Sequence, residues 1–182
     1  MKGKTVGKIA WRSAKEFAFI AVFVALVIAV QLVLASVPGV EFVTVLFVSY
    51  AFSFGVRRSA VAATVFSLLR QLVFGFFPTV LILYLIYYNL LSLTFGIIGK
   101  KIKTPWKSLW WLTLVACICT ICFSVLDNII TPLYFGYGKE AAKAWIISSL
   151  PFMGTQVVCT AVTILVLFLP LVRAFGIVKR EL

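Results

Sequence analysis

The chain has 182 residues, of which 63% are hydrophobic and only 12% are charged, and its mean hydropathy is +1.14. Soluble domains carry about 25% charged residues, so this composition excludes an ordinary water-soluble protein. The 17 Lys and Arg against 5 Asp and Glu would suggest nucleic-acid binding in a soluble chain. Here the basic residues flank apolar segments, which indicates a lipid bilayer and not nucleic acid as their partner.

Long apolar segments predict helices, because a helix satisfies its own backbone hydrogen bonds in lipid. Residues 1–16 are basic and predict a cytoplasmic tail or a short interfacial helix, with Trp11 at the lipid headgroups. They resemble the start of a signal peptide but lack a clear small-residue cleavage site. The first span is predicted from about Phe17 to Val37, where Pro38-Gly39 stops it.

Five further spans follow, separated by charged or proline-containing breaks. The breaks are Arg57-Arg58, Pro78, the basic loop Lys100 to Lys107, and Thr131-Pro132, and the last span is long enough to tilt or bend near Pro151. The second and third spans are short, so a re-entrant hairpin is an alternative for them. The five spans run from about Phe42 to Gly55, Ser59 to Phe76, Thr79 to Ile98, Leu109 to Ile130 and Ala144 to Leu171.

Charge distribution predicts the orientation. With the N-terminus inside and six crossings, every Lys and Arg outside the spans is cytoplasmic except Lys139 and Lys143. We therefore predict an all-α integral membrane protein, in which residues 1–182 form a single domain. This domain is a six-transmembrane-helix bundle in the plasma membrane, with both termini cytoplasmic.

A few polar residues interrupt the spans, and such residues usually have a function because charges in a bilayer cost several kcal/mol unless paired or hydrated. All are predicted in the middle or outer half of the membrane, above an inner half with essentially no interior charge. That pattern favours an outward-opening pocket over a channel or a proton-coupled antiporter. The residues are Glu41, Arg70, Asn89, Asp127, Asn128 and Gln156.

Four of these polar residues also have a purely structural interpretation. Arg70 could pair with Asp127 or Glu41, and Glu41 could simply lie in the interface. Asn89 and Gln156 could form hydrogen bonds between helices, which is a common use of amides in membranes.

Aromatic residues lie close to these polar positions. Tyr84 and Tyr88 share one helical face and Tyr87 points about 100° away. Interfacial belts explain some of the aromatics, but an aromatic wall with a few amides suits a flat, partly apolar ligand. The predicted ligand-binding residues are Glu41, Phe42, Arg70, Tyr84, Tyr87, Tyr88, Asn89, Asp127, Asn128, Tyr134, Trp145, Phe152 and Gln156.

Neither the cysteines nor any other residue set predicts catalysis, a metal site or a cofactor. Cys117 and Cys119 would point to nearly opposite sides of a helix, and the chain contains no His. We interpret these two, with Cys122 and Cys159, as small apolar packing residues without disulfides.

Small residues recur every three or four positions along the first span, which allows close approach of another helix, from this chain or from a partner. They are Ala14, Ala18, Ala21, Ala25 and Ala29.

The chain resembles the S-components of energy-coupling factor transporters over its whole length, in size, helix number and basic tail. Ala21-Val-Phe-Val-Ala25, extended to Ala29, is similar to their AxxxA motif. One branch of these S-components is similar to this chain at two further places. The first is Pro38-Gly-Val-Glu41-Phe42, followed by an apolar helix that ends in Gly55 and a basic turn. The second is the entry into the last helix, from Trp145 to Leu150-Pro151.

The resemblance implies a non-enzymatic subunit that binds a vitamin at its outer face, on the loops joining helices 1–2, 3–4 and 5–6. It would dock through Ala21, Ala25 and Ala29 onto a transmembrane coupling subunit carrying two ATPases, topple, and release the vitamin inside. The chain has no Walker A pattern of its own.

Branch resemblance favours cobalamin or another corrinoid, and thiamine or queuosine precursors stay open. Two other classes are a stand-alone small-solute carrier and an intramembrane enzyme acting on lipid. The absence of His, and the placement of Asp127 and Glu41 near different helix ends, disfavour the enzyme.

Overall fold

The computed structural model describes residues 14–37, 41–102 and 104–181, and these ranges contain helices and no strand. The interpretations of residues 1–13 as a basic tail, of Pro38-Gly39 as a helix stop and of Lys103 as part of the basic loop lie outside the described residues. The helices are α1 Ala14–Leu34, α2 Val43–Phe54, α3 Val56–Phe74, α4 Pro78–Lys101, α5 Leu109–Phe135 and α6 Lys139–Glu181, with a 3₁₀ turn at Pro105–Ser108.

Several of these helices are suited to a membrane. Among the described residues, four helical stretches are long and apolar enough to cross it, and the fold is therefore that of an all-α membrane protein. α2 is apolar but has only 12 residues, which at 1.5 Å per residue gives about 18 Å. The four stretches are Ala14–Leu34, Pro78–Lys101, Pro105–Phe135 and Lys139–Arg180.

α1 and α3 run parallel to each other. Near their N-termini, Arg58 Nη2 lies 2.7 Å from Glu16 Oε1 in an ion pair. Further along both helices, Arg70 Nε donates to Gln31 Oε1 at 3.2 Å. The buried Glu16 also corrects the expectation that the inner half has no interior charge. The sequence interpretation started the first span after Glu16, whereas α1 includes it.

α2, α4 and α6 run in the opposite direction to α1 and α3. Just before α2, Glu41 N donates to Cys159 Sγ on α6 at 3.2 Å, and Tyr88 Oη on α4 donates to Glu41 Oε1 at 3.2 Å. At the far end of α2, Lys179 Nζ donates to the carbonyl of Ser53 at 2.6 Å. These pairs place the start of α2 beside the first half of α4 and α6.

α5 is antiparallel to α6. The hydroxyls of Thr120 and Thr160 are 3.1 Å apart, and Ser124 Oγ lies 3.5 Å from Gln156 Oε1. One end of the bundle therefore gathers the C-terminal ends of α1, α3 and α5 with the N-terminal ends of α2, α4 and α6. We call it the cavity end, and the opposite end the basic end.

α2 lies at the centre of the bundle, and all of its residues except Ser53 are buried. Its aromatic side chains join those of the surrounding helices. The rings of Tyr50 and Phe23 stack at 4.0 Å, and Phe47 packs 4.7 Å from Tyr88 and 5.2 Å from Phe66. This aromatic core surrounds α2 in the middle of the molecule.

Several predicted boundaries are wrong, and α4 also includes Lys100 and Lys101 of the predicted basic loop. The break between α2 and α3 is Gly55 alone, whose φ of +80° favours glycine, and Arg57-Arg58 begin α3 because arginine is a good helix former. α5 continues through Pro132 to Phe135 and ends at Gly136. α6 starts at Lys139, before the predicted Ala144, remains helical through its prolines, and continues to Glu181, beyond the predicted end at Leu171. Prolines inside membrane helices are tolerated when neighbouring groups form hydrogen bonds with the backbone carbonyls that the proline leaves unpaired.

We predict that Gly99→Ala lowers the free energy of unfolding by about 1–3 kcal/mol. A Cβ at residue 99 would overlap the main chain of Phe52, because α4 approaches α2 closely there. Gly154→Ala is the matched control, since apart from its own helical turn and chain neighbours no described atom lies within 4 Å of its Cβ position. This control should raise stability by up to about 1 kcal/mol through helix propensity. Denaturant unfolding in detergent measures both, and equal stability of the two variants would contradict the close approach.

Candidate ligand-binding site

A cavity of about 310 Å³ lies at the cavity end of the bundle, and we call it the Arg70 cavity. Its wall combines the end of α1, the segment before α2, and side chains from α3, α4, α5 and α6. Its lining residues are Gln31, Leu34, Ala35, Val37, Glu41, Phe42, Val43, Arg70, Phe74, Tyr84, Phe123 and Gln156.

A second cavity of about 270 Å³ lies between α5 and α6, and we call it the Trp145 cavity. The two cavities adjoin, because Phe123 and Gln156 line both of them. The other lining residues of the Trp145 cavity are Ser124, Asp127, Trp145, Ser148, Ser149, Phe152 and Met153.

Arg70 is fixed by neighbours that leave part of its guanidinium group unpaired. Its Nε donates to Gln31 Oε1, and its Cζ lies 4.7 Å from the ring centres of both Tyr84 and Phe74. Its Nη1 is buried and has no hydrogen-bond partner among the described residues. No described carboxylate lies within ion-pair distance of Arg70, so the alternative in which it pairs with Glu41 or Asp127 is wrong.

Glu41 faces the interior of the bundle. Its Oε1 accepts hydrogen bonds from Thr44 Oγ1 at 3.0 Å and from Tyr88 Oη at 3.2 Å. Cys159 Sγ accepts from the Glu41 main-chain N–H and donates to its carbonyl at 3.5 Å, which fixes the segment before α2 against α6. These contacts place the carboxylate in the cavity wall.

Helical spacing explains how the wall of the Arg70 cavity forms. Tyr84 and Tyr88 are four residues apart and both point inward, with rings 5.1 Å apart. Gln31 Nε2 donates to Tyr84 Oη at 3.0 Å, so one amide connects the tyrosine of α4 to Arg70 of α3. This chain of bonds holds three helices at the cavity end.

The Trp145 cavity is less polar. Asp127 Oδ1 accepts a hydrogen bond from Thr131 Oγ1 at 2.9 Å. Trp145 Nε1 is buried without a hydrogen-bond partner among the described residues. With Phe123 and Phe152 in the wall, the cavity offers mainly aromatic surface.

The structure brings together eight of the thirteen predicted ligand-binding residues. Glu41, Phe42, Arg70 and Tyr84 line the Arg70 cavity, Asp127, Trp145 and Phe152 line the Trp145 cavity, and Gln156 lines both.

The other five predicted residues line neither cavity. Asn89 Nδ2 donates to Thr64 Oγ1 on α3 at 3.3 Å and to the Leu85 carbonyl in its own helix. The bond to Thr64 is the kind of interhelical hydrogen bond that the structural interpretation of Asn89 predicted. Tyr88 reaches the site only through Glu41. The ring of Tyr87 packs on Phe123. The side-chain oxygen of Asn128 is buried without a hydrogen-bond partner among the described residues, and Tyr134 is exposed near the end of α5.

Sequence reasoning missed Gln31, Phe74, Phe123 and Ser124. A signal existed for Gln31, because it is the one amide in an otherwise apolar first span. The two phenylalanines gave no signal, since the chain contains 17 of them.

The described residues contain no cluster of His, Cys, Asp or Glu that could hold a metal ion, and the four cysteines are free. The side chains that line the two cavities offer charge, hydrogen-bonding groups and aromatic surface.

Comparison of the chain with models of known protein families, with curated proteins and with solved structures finds no match.

Proposed function

We propose that this protein is the substrate-binding subunit, or S-component, of an energy-coupling factor importer. It would bind a vitamin-like small molecule at the outer face of the cell membrane. It would then deliver that molecule by docking onto a coupling subunit that carries two ATPases. The proposal starts from the sequence resemblance, and the geometry of the site supports it.

One observation carries the proposal: the two adjoining cavities lie toward one end of the bundle, above an aromatic core. Tyr88, Phe47 and Phe66 pack with ring centres 4.7–5.3 Å apart beneath the Arg70 cavity. A channel would need polar groups along its whole depth. A closed floor instead suits a subunit that holds its ligand until a partner changes its orientation.

The distribution of charge supports six crossings with the cavity end outside. Among the described residues, the basic end carries Arg57, Arg58, Lys100 and Lys179, which lie on three different helices, and lysines at the cavity end are limited to the start of α6. The positive-inside rule then makes the basic end cytoplasmic. The Gly55 turn between α2 and α3 lies near Lys100, which favours a complete crossing by each over a shallow hairpin.

The alanines of α1 are available to a partner. Ala21, Ala25 and Ala29 are all exposed, as are Val22 and Leu26 beside them. The helix buries a different face, containing Phe23, Val24 and Val27. An exposed stripe of small residues supports the docking interpretation over an internal packing seam, because a seam would be covered by this chain's own helices.

Cavity size bears on the substrate. Each cavity is at or just below the lower limit of the roughly 300–1,000 Å³ typical of drug-sized ligands. A corrinoid is far larger than either cavity, so the geometry favours a smaller vitamin or precursor over the cobalamin that branch resemblance suggested.

Reconstitution tests the proposal. The purified protein should form a complex with a coupling subunit and its two ATPases, and vesicles containing all four chains should accumulate the ligand only with ATP. Mass spectrometry of small molecules released from the purified subunit identifies that ligand. Equal uptake by the isolated subunit would favour a stand-alone carrier instead.

A further inference from the structure

We propose that the substrate is a zwitterion. Its acidic group would bind Arg70, its protonated nitrogen would bind Glu41, and a flat apolar part would enter the Trp145 cavity. This inference rests on the proposed function, because it names the substrate class of the same site.

Arg70 has no anionic partner among the described residues. A guanidinium group has five N–H donors, and here Nε bonds to Gln31 while the buried Nη1 bonds to no described residue. Arg70 is half-buried, so an anion that enters the cavity would meet a cation with an unused donor. A carboxylate satisfies it best, since its two oxygens match the paired N–H groups of arginine.

Glu41 likewise has no cationic partner among the described residues. Both of its hydrogen bonds go to Oε1, from Thr44 and Tyr88, and Oε2 accepts none from the described residues. No described lysine or arginine lies within ion-pair distance of it. A protonated nitrogen on the ligand would supply both a donor and the opposite charge.

The two charges are held apart within one cavity. Gln31 and Tyr84 fix Arg70 on the α1 and α4 side, while Tyr88 and Cys159 fix Glu41. A multiply anionic ligand would be repelled by Glu41, and a simple cation would be repelled by Arg70. A ligand with one charge of each sign satisfies both residues.

The adjoining Trp145 cavity indicates the chemistry of the rest of the ligand. Its aromatic residues Phe123 and Phe152 offer surface for a flat apolar group, and Trp145 Nε1 is a buried donor without a partner among the described residues. The part of the ligand that enters this cavity is therefore expected to be flat and apolar.

Affinity selection tests the proposal while the ligand is still unidentified. The purified protein is incubated with a polar-metabolite extract, washed, and the retained compounds are identified by mass spectrometry. We expect the retained compound to carry an acidic and a basic group. Arg70→Gln and Glu41→Gln should each reduce its retention roughly tenfold or more, because each removes a charged hydrogen-bond partner.

Lys143→Gln and Glu140→Gln are the matched controls. They make the same changes of charge at the cavity end, but in an exposed pair 3.2 Å apart that lies on neither cavity. Both should retain the compound as the wild type does. If a cavity variant does not fold, the same charge is removed from the compound instead. Its N-acetylated and esterified forms should each bind the wild-type protein at least about tenfold more weakly than the unmodified compound.

Three results would overturn the inference: no retained compound, a retained compound without one of the two charges, or equal retention by all four variants. These results are distinct from a failure of the proposed function. A zwitterion bound by a protein that never joins a coupling subunit would leave this inference standing and remove the importer. ATP-dependent import of an uncharged molecule would leave the proposed function standing and overturn this inference.

Discussion

Ala25→Trp is expected to abolish ATP-driven uptake by the reconstituted importer while leaving the ligand affinity of the isolated subunit unchanged within about threefold. Ala25 is exposed in the middle of the α1 stripe, whereas the cavities lie near the end of that helix. An indole there would hold a partner helix away, because close approach requires small residues. Uptake and complex formation are measured in vesicles, and affinity by calorimetry in detergent.

Val166→Trp is the control for this substitution. Val166 is also strongly exposed, but it lies on α6 away from the stripe, so the same added bulk should leave uptake intact. If Ala25→Trp instead destroyed ligand affinity together with uptake, the stripe would be a packing seam of the subunit itself. If both tryptophan variants transported normally, docking through α1 would be wrong.

Gln156→Ala is expected to weaken ligand binding roughly five- to 150-fold, which corresponds to the about 1–3 kcal/mol cost of losing a buried hydrogen-bonding group. Gln156 borders both cavities, and among the described residues its side chain makes one hydrogen bond, the long 3.5 Å contact from Ser124 Oγ. Most of its amide is therefore free to bind a ligand. Calorimetric titration with the compound identified from the wild-type protein gives the affinity.

Thr155→Ala is the neighbouring control on α6. Thr155 is exposed and its hydroxyl donates to the carbonyl of Pro151 in the same helix, so its loss should leave affinity unchanged. Wild-type affinity in Gln156→Ala would mean that the ligand does not occupy the junction of the two cavities. An equal loss in both variants would instead point to damage of α6.

Within the described residues, the sequence alone determined the number and order of the long helices. In lipid, every backbone group must be paired within its own segment, so a long apolar run has essentially one available structure. The predicted six apolar segments correspond to α1–α6, with Pro78 at the start of α4 as its missing N–H donor allows. The misplaced ends, such as that of α5 at Pro132, reflect the tolerance of membrane helices for proline.

Which polar residues meet was decided only by the tertiary structure. Residues along a helix are rotated by about 100° each, so a shift of one residue in helix orientation changes the residues that face the cavity. In helices that are apolar nearly all round, the sequence pattern does not fix that orientation. Packing around the central α2 turned Gln31 toward Arg70 and Asn89 toward Thr64, and it left Arg70 and Glu41 facing one cavity without pairing.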